Sequence, residues 1–218
     1  MANSDPLLID IQYFPSLEYF IALAVTDKVI LETCENYKKQ SYRNRCYIKG
    51  ANKILYITVP VLNGNSKVIV KDIKIDNSQK WLNLHWKTIA SAYGKAPFFM
   101  FYGDLIKEIL YKKHKFLIDL NTELLYKLLE ILRFKIEINF TTEYKKETEK
   151  NINDLRSAIH PKRDYKLNNL YSPCRYNQIF GREFVGNLSI LDLLFCEGNN
   201  AMKVLKESRA EGVSLVKK

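Results

Sequence analysis

Cysteine is scarce. The 218-residue chain has four, Cys34, Cys46, Cys174 and Cys196, and no two of them stand in C-x-x-C spacing. This excludes a disulfide framework or a zinc site legible from spacing, and leaves reduced thiols packed as small apolar groups. Glycine is also scarce, with eight residues scattered singly. The phosphate-cradling G-x-x-x-x-G-K-[ST] and G-x-G-x-x-G loops are absent, as are the G-x-S-x-G, H-E-x-x-H and EF-hand signatures. Long apolar runs are missing too: the longest, residues 19–25, falls far short of the roughly 20 residues that a membrane-spanning helix needs. No basic stretch opens the chain, and Asp10 breaks its first apolar run, so no secretory signal is expected. The expectation is a cytoplasmic protein with no membrane span, no metal site and no cofactor.

Hydrophobic residues make up 47% of the chain and charged residues 27%, which is enough apolar material for a core. The length suits one domain over residues 1–218, strand-rich at 7–76 and helix-rich at 78–207. A net charge of +10 invites a nucleic-acid or anionic-membrane partner. Against this, the lysines are dispersed, acidic residues interleave with them through 145–150, and the joint excess of Lys, Asn, Ile and Tyr matches an AT-biased genome. A nucleic-acid partner is therefore admitted but not favoured.

Residues 7–12 read as a buried strand stopped by Pro15, Ser16 as the cap of a following helix, and residues 29–34 as the next strand. Together they make a βαβ-like opening. Strands are expected at 46–48 and 54–61, and one or two more across the alternating residues 67–75. Beyond Ser78 the period lengthens: Leu82, Trp86, Ile89 and Tyr93 form the stripe of an amphipathic helix. Further helices are expected over 98–112, over 122–133 with Asn121 as cap, over a short stretch at 152–159, over 190–195 and after Asn199, with a strand at 136–140. The fold class is α/β, a mixed sheet with a βαβ opening covered by helices.

Several polar groups stand out from apolar surroundings. Tyr13 lies at the carboxyl end of the first strand, where open α/β sheets place ligands; a plain aromatic-plugged turn explains it equally well. Tyr42, Arg43, Asn44 and Arg45 alternate aromatic and basic groups that suit a phosphorylated or nucleotide-linked small molecule, unless the arginines merely point outward. Trp81 and His85 share one side of a helix. There His85 is either a general base or a satisfied histidine at the core edge. Asp154, Arg156 and His160 form either a substrate-binding set or charge-paired scaffolding. Ser189 and Asp192 have the spacing of a capping box, which makes Asp192 structural.

With Gln12-Tyr13-Phe14-Pro15, the run from Asn36 to Arg45, Thr58-Val59-Pro60-Val61, Trp81 with His85, and Ala92-Tyr93-Gly94-Lys95-Ala96-Pro97-Phe98-Phe99, the chain resembles the WbqC-like protein family of bacteria. The Asp154-Leu155-Arg156 and 187–195 segments resemble the variant found in Bacteroidetes. Many members open with His-Gln-Pro before the Tyr-Phe-Pro; here Ile11 precedes Gln12 and Tyr13 follows it, so no role of that histidine or proline transfers. The resemblance implies a bacterial protein of surface-polysaccharide biosynthesis, an aminoacyl- or glycyl-type transferase. In that reading Arg43 and Arg45 hold phosphate, Asn44 bonds a sugar or carbonyl oxygen, and His85 deprotonates the nucleophile. The alternative is a non-catalytic module for nucleic acid or another anionic partner. Both need the turn after the first strand, the two arginines and His85 to share one cleft.

Overall fold

The first apolar run folds as β1 (Leu7–Asp10), Pro15 ends the extended segment, and α1 (Leu17–Ala24) carries the chain back to β2 (Lys28–Glu32). In this computed structural model, which describes residues 5–64, 67–181 and 183–213, β1 and β2 pair in parallel with Leu8 opposite Ile30. Ser16 takes the cap position of α1, but its hydroxyl makes no cap bond. Asn187, remote in sequence, accepts from the Glu18 amide at 2.9 Å instead, so one orphan donor of the first turn is satisfied from across the fold.

The expected mixed sheet is divided in two. β5 (Glu137–Phe140) and β6 (Asn153–Asp154) join β1 and β2 in a parallel sheet of order β5-β2-β1-β6, while β3 (Arg45–Lys49) and β4 (Ile54–Thr58) form a separate antiparallel ribbon. Two other expectations need correction. Residues 67–75 hold a 3-10 turn at Val70–Asp72 between isolated bridges rather than strands; their alternation buries Val70, Ile73 and Ile75 without any ladder. Residues 152–159 form the two-residue β6 and turns rather than a helix.

The helices α2 (Trp81–Tyr93), α3 (Phe99–Tyr111), α4 (Leu117–Ile131), α5 (Ile190–Glu197) and α6 (Ala201–Glu207) together with α1 supply more than half of the apolar core. α4 begins at Leu117, five residues before its expected start, and Asn121 is not its cap. That side chain lies inside the helix and donates to the Arg43 carbonyl at 2.7 Å. Leu7, Ile9, Val29 and Leu31 share one apolar cluster with α1, α4 and α5, whereas Leu8 and Ile30, whose side chains alternate to the other face, lie outside it. All four cysteines are free. No helix among the described residues is long and apolar enough to cross a membrane.

Burial ranks two strand substitutions. Ile9→Ala removes a side chain with no exposure in a central strand and is expected to cost about 2–5 kcal/mol in urea denaturation. Phe140→Ala, on an edge strand and 43% exposed, is expected to cost less than about 1 kcal/mol.

Candidate functional site

The carboxyl edge of the parallel sheet is closed by a buried ion network. Arg43 is 1% exposed. Its Nε donates to Glu35 Oε1 at 3.0 Å, its Nη2 donates to the same oxygen and to Ser157 Oγ at 3.3 Å, and its Nη1 lies 3.6 Å from Asp10 Oδ2. Burial alone would lower the Arg43 pKa; Asp10 and Glu35 beside it raise it, so the group stays charged. The Ser157 amide donates to Asp10 Oδ1 at 2.6 Å, and Lys38 Nζ donates to the Ser157 hydroxyl at 2.7 Å. One strand over, Glu32 accepts from Arg156 Nη1 at 3.0 Å and from the Thr141 hydroxyl at 2.8 Å, and Arg156 also grips Asp154. His160 Nδ1 accepts from the Lys162 amide at 3.1 Å. Its pKa is lowered by burial and then by Arg43.

The turn above this network is held tightly. Phe14 sits in the left-handed region at φ 43° with no exposure, a conformation that costs a non-glycine residue free energy. Neighbouring bonds hold it there: the Tyr13 amide donates to the Tyr42 carbonyl at 2.8 Å, and Ser189 Oγ donates to the Phe14 carbonyl at 2.9 Å.

Arg45, two residues after Arg43, has a different environment. It opens β3, directly opposite Thr58 of β4, with Tyr47 opposite Tyr56 on the same face. Its guanidinium carbon lies 5.3 Å from the Tyr56 ring centroid. Among the described residues it has no hydrogen bond or ion pair, and its Nε is buried without an acceptor. The Tyr42, Tyr47 and Tyr56 rings follow one another at 5.9 and 6.0 Å, and Tyr56 is 62% exposed. The Thr58 hydroxyl opposite Arg45 is buried without a partner, as is that of Tyr37, which feels the charges of both arginines; burial raises its pKa to about 12. The result is a half-buried cation with no counter-ion among the described residues, beside a row of tyrosines in edge-on and tilted contact.

His85 touches the back of this ribbon. The Thr58 carbonyl, 3.1 Å from Nε2, can only accept, so Nε2 carries the proton and Nδ1 accepts from the Tyr13 hydroxyl at 3.0 Å. Trp81 stands edge-on at 4.9 Å. The imidazole is 2% exposed, and burial lowers its pKa to about 4. The histidine expected at the core edge is therefore fully enclosed, with both nitrogens engaged. Asn44 donates to the Val59 carbonyl at 2.9 Å, and its Oδ1 has no partner.

The sequence-selected residues thus fall into three places. Tyr13, Trp81 and His85 lie behind the ribbon; Tyr42 and Arg45 lie with its tyrosines; Arg43, Asp154, Arg156 and His160 lie at the sheet edge. Asp10, Glu32 and Glu35 were missed, although Asp10 and Glu32 end apolar strands, where a carboxylate is out of pattern. Asp192 needs correction. Ser189 Oγ does accept from the Leu191 amide as a cap should. The Asp192 carboxylate, however, accepts from Tyr93 Oη at 2.9 Å, Tyr176 Oη at 2.6 Å and Gln178 Nε2 at 2.8 Å, and burial raises its pKa. Among the described residues, no three His, Cys, Asp or Glu side chains are grouped to hold a metal ion.

A parallel sheet with a βαβ opening, and charged groups gathered at its carboxyl edge, defines an α/β protein of the open-sheet kind. The chain belongs to the WbqC-like protein family, whose sequence profile matches residues 11–165. It is also similar to a protein of Mycobacterium tuberculosis (strain ATCC 25618 / H37Rv) named "Uncharacterized protein Rv1507c", with 26% identity over 227 residues that span 93% of this chain and 97% of that one. No solved structure matches it.

Two measurements test the interior groups. Arg43→Met removes the buried guanidinium from Asp10 and Glu35, leaving only the half-exposed Lys38 beside Glu35 and the Ser157 amide on Asp10, and is expected to lose about 3–5 kcal/mol of unfolding free energy. His85 has a folded pKa below its unfolded value. Its contribution is complete above pH about 6.5 and is lost as pH falls towards 4, on the order of 3 kcal/mol in all. The difference between urea-denaturation curves of the wild type and His85→Gln is expected to grow with pH across that window.

Proposed function

We propose that the chain is a transferase of surface-polysaccharide assembly that acts on an activated, nucleotide-linked sugar, and that the Arg45 face of the β3–β4 ribbon receives the ligand. The observation that carries this reading is the Arg45 guanidinium, which lies on Tyr56 with its Nε unbonded and no carboxylate paired with it among the described residues. A phosphate oxygen is the natural acceptor for such a fork. Tyr47 and Tyr56 offer faces for a planar base or the apolar face of a sugar ring. Family membership supports the reading through the polysaccharide role that resemblance to this family implies.

The pairing of Arg43 with Asp10 and Glu35 removes it from direct phosphate contact and leaves it a positioning role: it fixes the loop that delivers Arg45. His85 enters as the base only when the Tyr13 hydroxyl leaves Nδ1; with a pKa near 4 it is a weak one. Most of the rate then comes from orientation and from charge neutralisation by Arg45.

Isothermal titration with a panel of nucleotide-linked sugars tests this. Binding is expected to at least one of them, and Arg45→Gln is expected to weaken it by about 10-fold or more, the worth of a charge-assisted hydrogen bond. Binding to single-stranded oligonucleotides alone, falling steeply with salt, supports the binding-module alternative. Sugar-nucleotide affinity unchanged by Arg45→Gln refutes the site.

A further inference from the structure

β5 and β6 lie at opposite edges of the parallel sheet, so the segment joining them, residues 141–152, must cross the sheet. It crosses without a helix, over the face that carries Leu8 and Ile30. Its first half is tied down. The Thr141 hydroxyl donates to Glu32, and Arg156 donates to the Lys145 carbonyl at 2.8 Å while its guanidinium carbon lies 5.2 Å from the Tyr144 ring centroid. Between strap and sheet is a cavity of about 200 Å³, with room for roughly six water molecules.

Its floor is apolar: Leu8 and Ile30, directly opposite each other in register, with Phe140 and Ile152 beside them. Neither Leu8 nor Ile30 belongs to the main core, so this apolar surface faces the cavity rather than the helices. The charges around it run against the rest of the molecule. In a chain of net charge +10, the lining carries Glu32, Glu143, Glu147 and Glu149 against Lys145 and Arg156. Arg156 is spent on Glu32 and Asp154, and Lys145 pairs with Glu143 at 3.3 Å. Glu147 and Glu149 have no salt-bridge partner among the described residues. An apolar floor with a few charges of one sign at the rim is the make-up of a small-molecule site, and the sign selects a cation.

We propose that this cavity binds a primary ammonium carried on a compact aliphatic or alicyclic body, the hydrocarbon resting on Leu8 and Ile30 and the ammonium held at the rim by Glu147 and Glu149. It shares no residue with the Arg45 face; it lies over the sheet at Leu8 and Ile30 and reaches the carboxyl ends of β2 and β5 at Glu32 and Phe140.

The test uses three probes of one shape, cyclohexylammonium, cyclohexanol and cyclohexanecarboxylate, titrated into the full chain and followed by the methyl resonances of Leu8 and Ile30. The ammonium is expected to shift both methyls, the alcohol to bind more weakly, and the carboxylate not to bind. A Glu147→Gln, Glu149→Gln double variant, on exposed positions that carry no fold, is expected to weaken ammonium binding by roughly three- to tenfold. Ile30→Trp, which fills the floor, is expected to abolish it. Unmoved Leu8 and Ile30 methyls in the wild type overturn the proposal without any variant. So does equal affinity for ammonium and alcohol, which would leave the acidic rim without a role.

Discussion

The buried contact of Arg43 with Glu35 and Asp10 is the interaction on which the rest of the arrangement depends. It joins the end of β1 to the loop between β2 and β3, and through Ser157 to the turn after β6. A guanidinium out of water is tolerable only because two carboxylates and a hydroxyl surround it. With Arg43 fixed inward, the chain enters β3 in one register, and Arg45 emerges on the tyrosine face of the ribbon. One arginine is thus consumed by the fold, while the other has no counter-ion among the described residues.

That division explains why two histidines selected from the sequence differ from what a base requires. His85 is held between the Tyr13 hydroxyl and the Thr58 carbonyl, which locks its tautomer and ties α2 to the turn after β1. His160 spends Nδ1 on the Lys162 amide. Neither presents a free basic nitrogen, so the chemistry proposed for this family member leans on charge and placement more than on proton abstraction. The strained Phe14 turn, bonded from Tyr42 and Ser189, holds the Tyr13 hydroxyl against His85.

Much of the fold was legible because local signals agreed with it. The apolar run read at 7–12, the stop at Pro15 and the run read at 29–34 give a βαβ unit by pattern alone, realised as β1 (Leu7–Asp10) and β2 (Lys28–Glu32), and the stripe from Leu82 to Tyr93 gives α2. The misreadings share one cause. Residues 67–75 and 152–159 have the right periods, but their partners are isolated bridges and turns from distant segments, which no local pattern encodes. Within the site, the identity of Arg45 was legible and the fate of Arg43 was not: a spacing of two puts both on one face of an extended strand, and it is the turn ahead of β3, which holds Arg43, that sends it to its carboxylates instead. Asp192 shows the same limit. Its spacing from Ser189 is that of a capping box, yet its carboxylate is claimed by Tyr93, Tyr176 and Gln178.

Arg43 is closed by its carboxylates, and Arg45 is proposed as the seat of the anion. Nitrogen-15 NMR of the arginine side chains reads both at once, with inorganic pyrophosphate as the probe. The Arg45 Nε–H resonance is expected to move and the Arg43 resonance to stay in place. A shift at Arg43, or none at Arg45 under saturating pyrophosphate, would contradict that assignment.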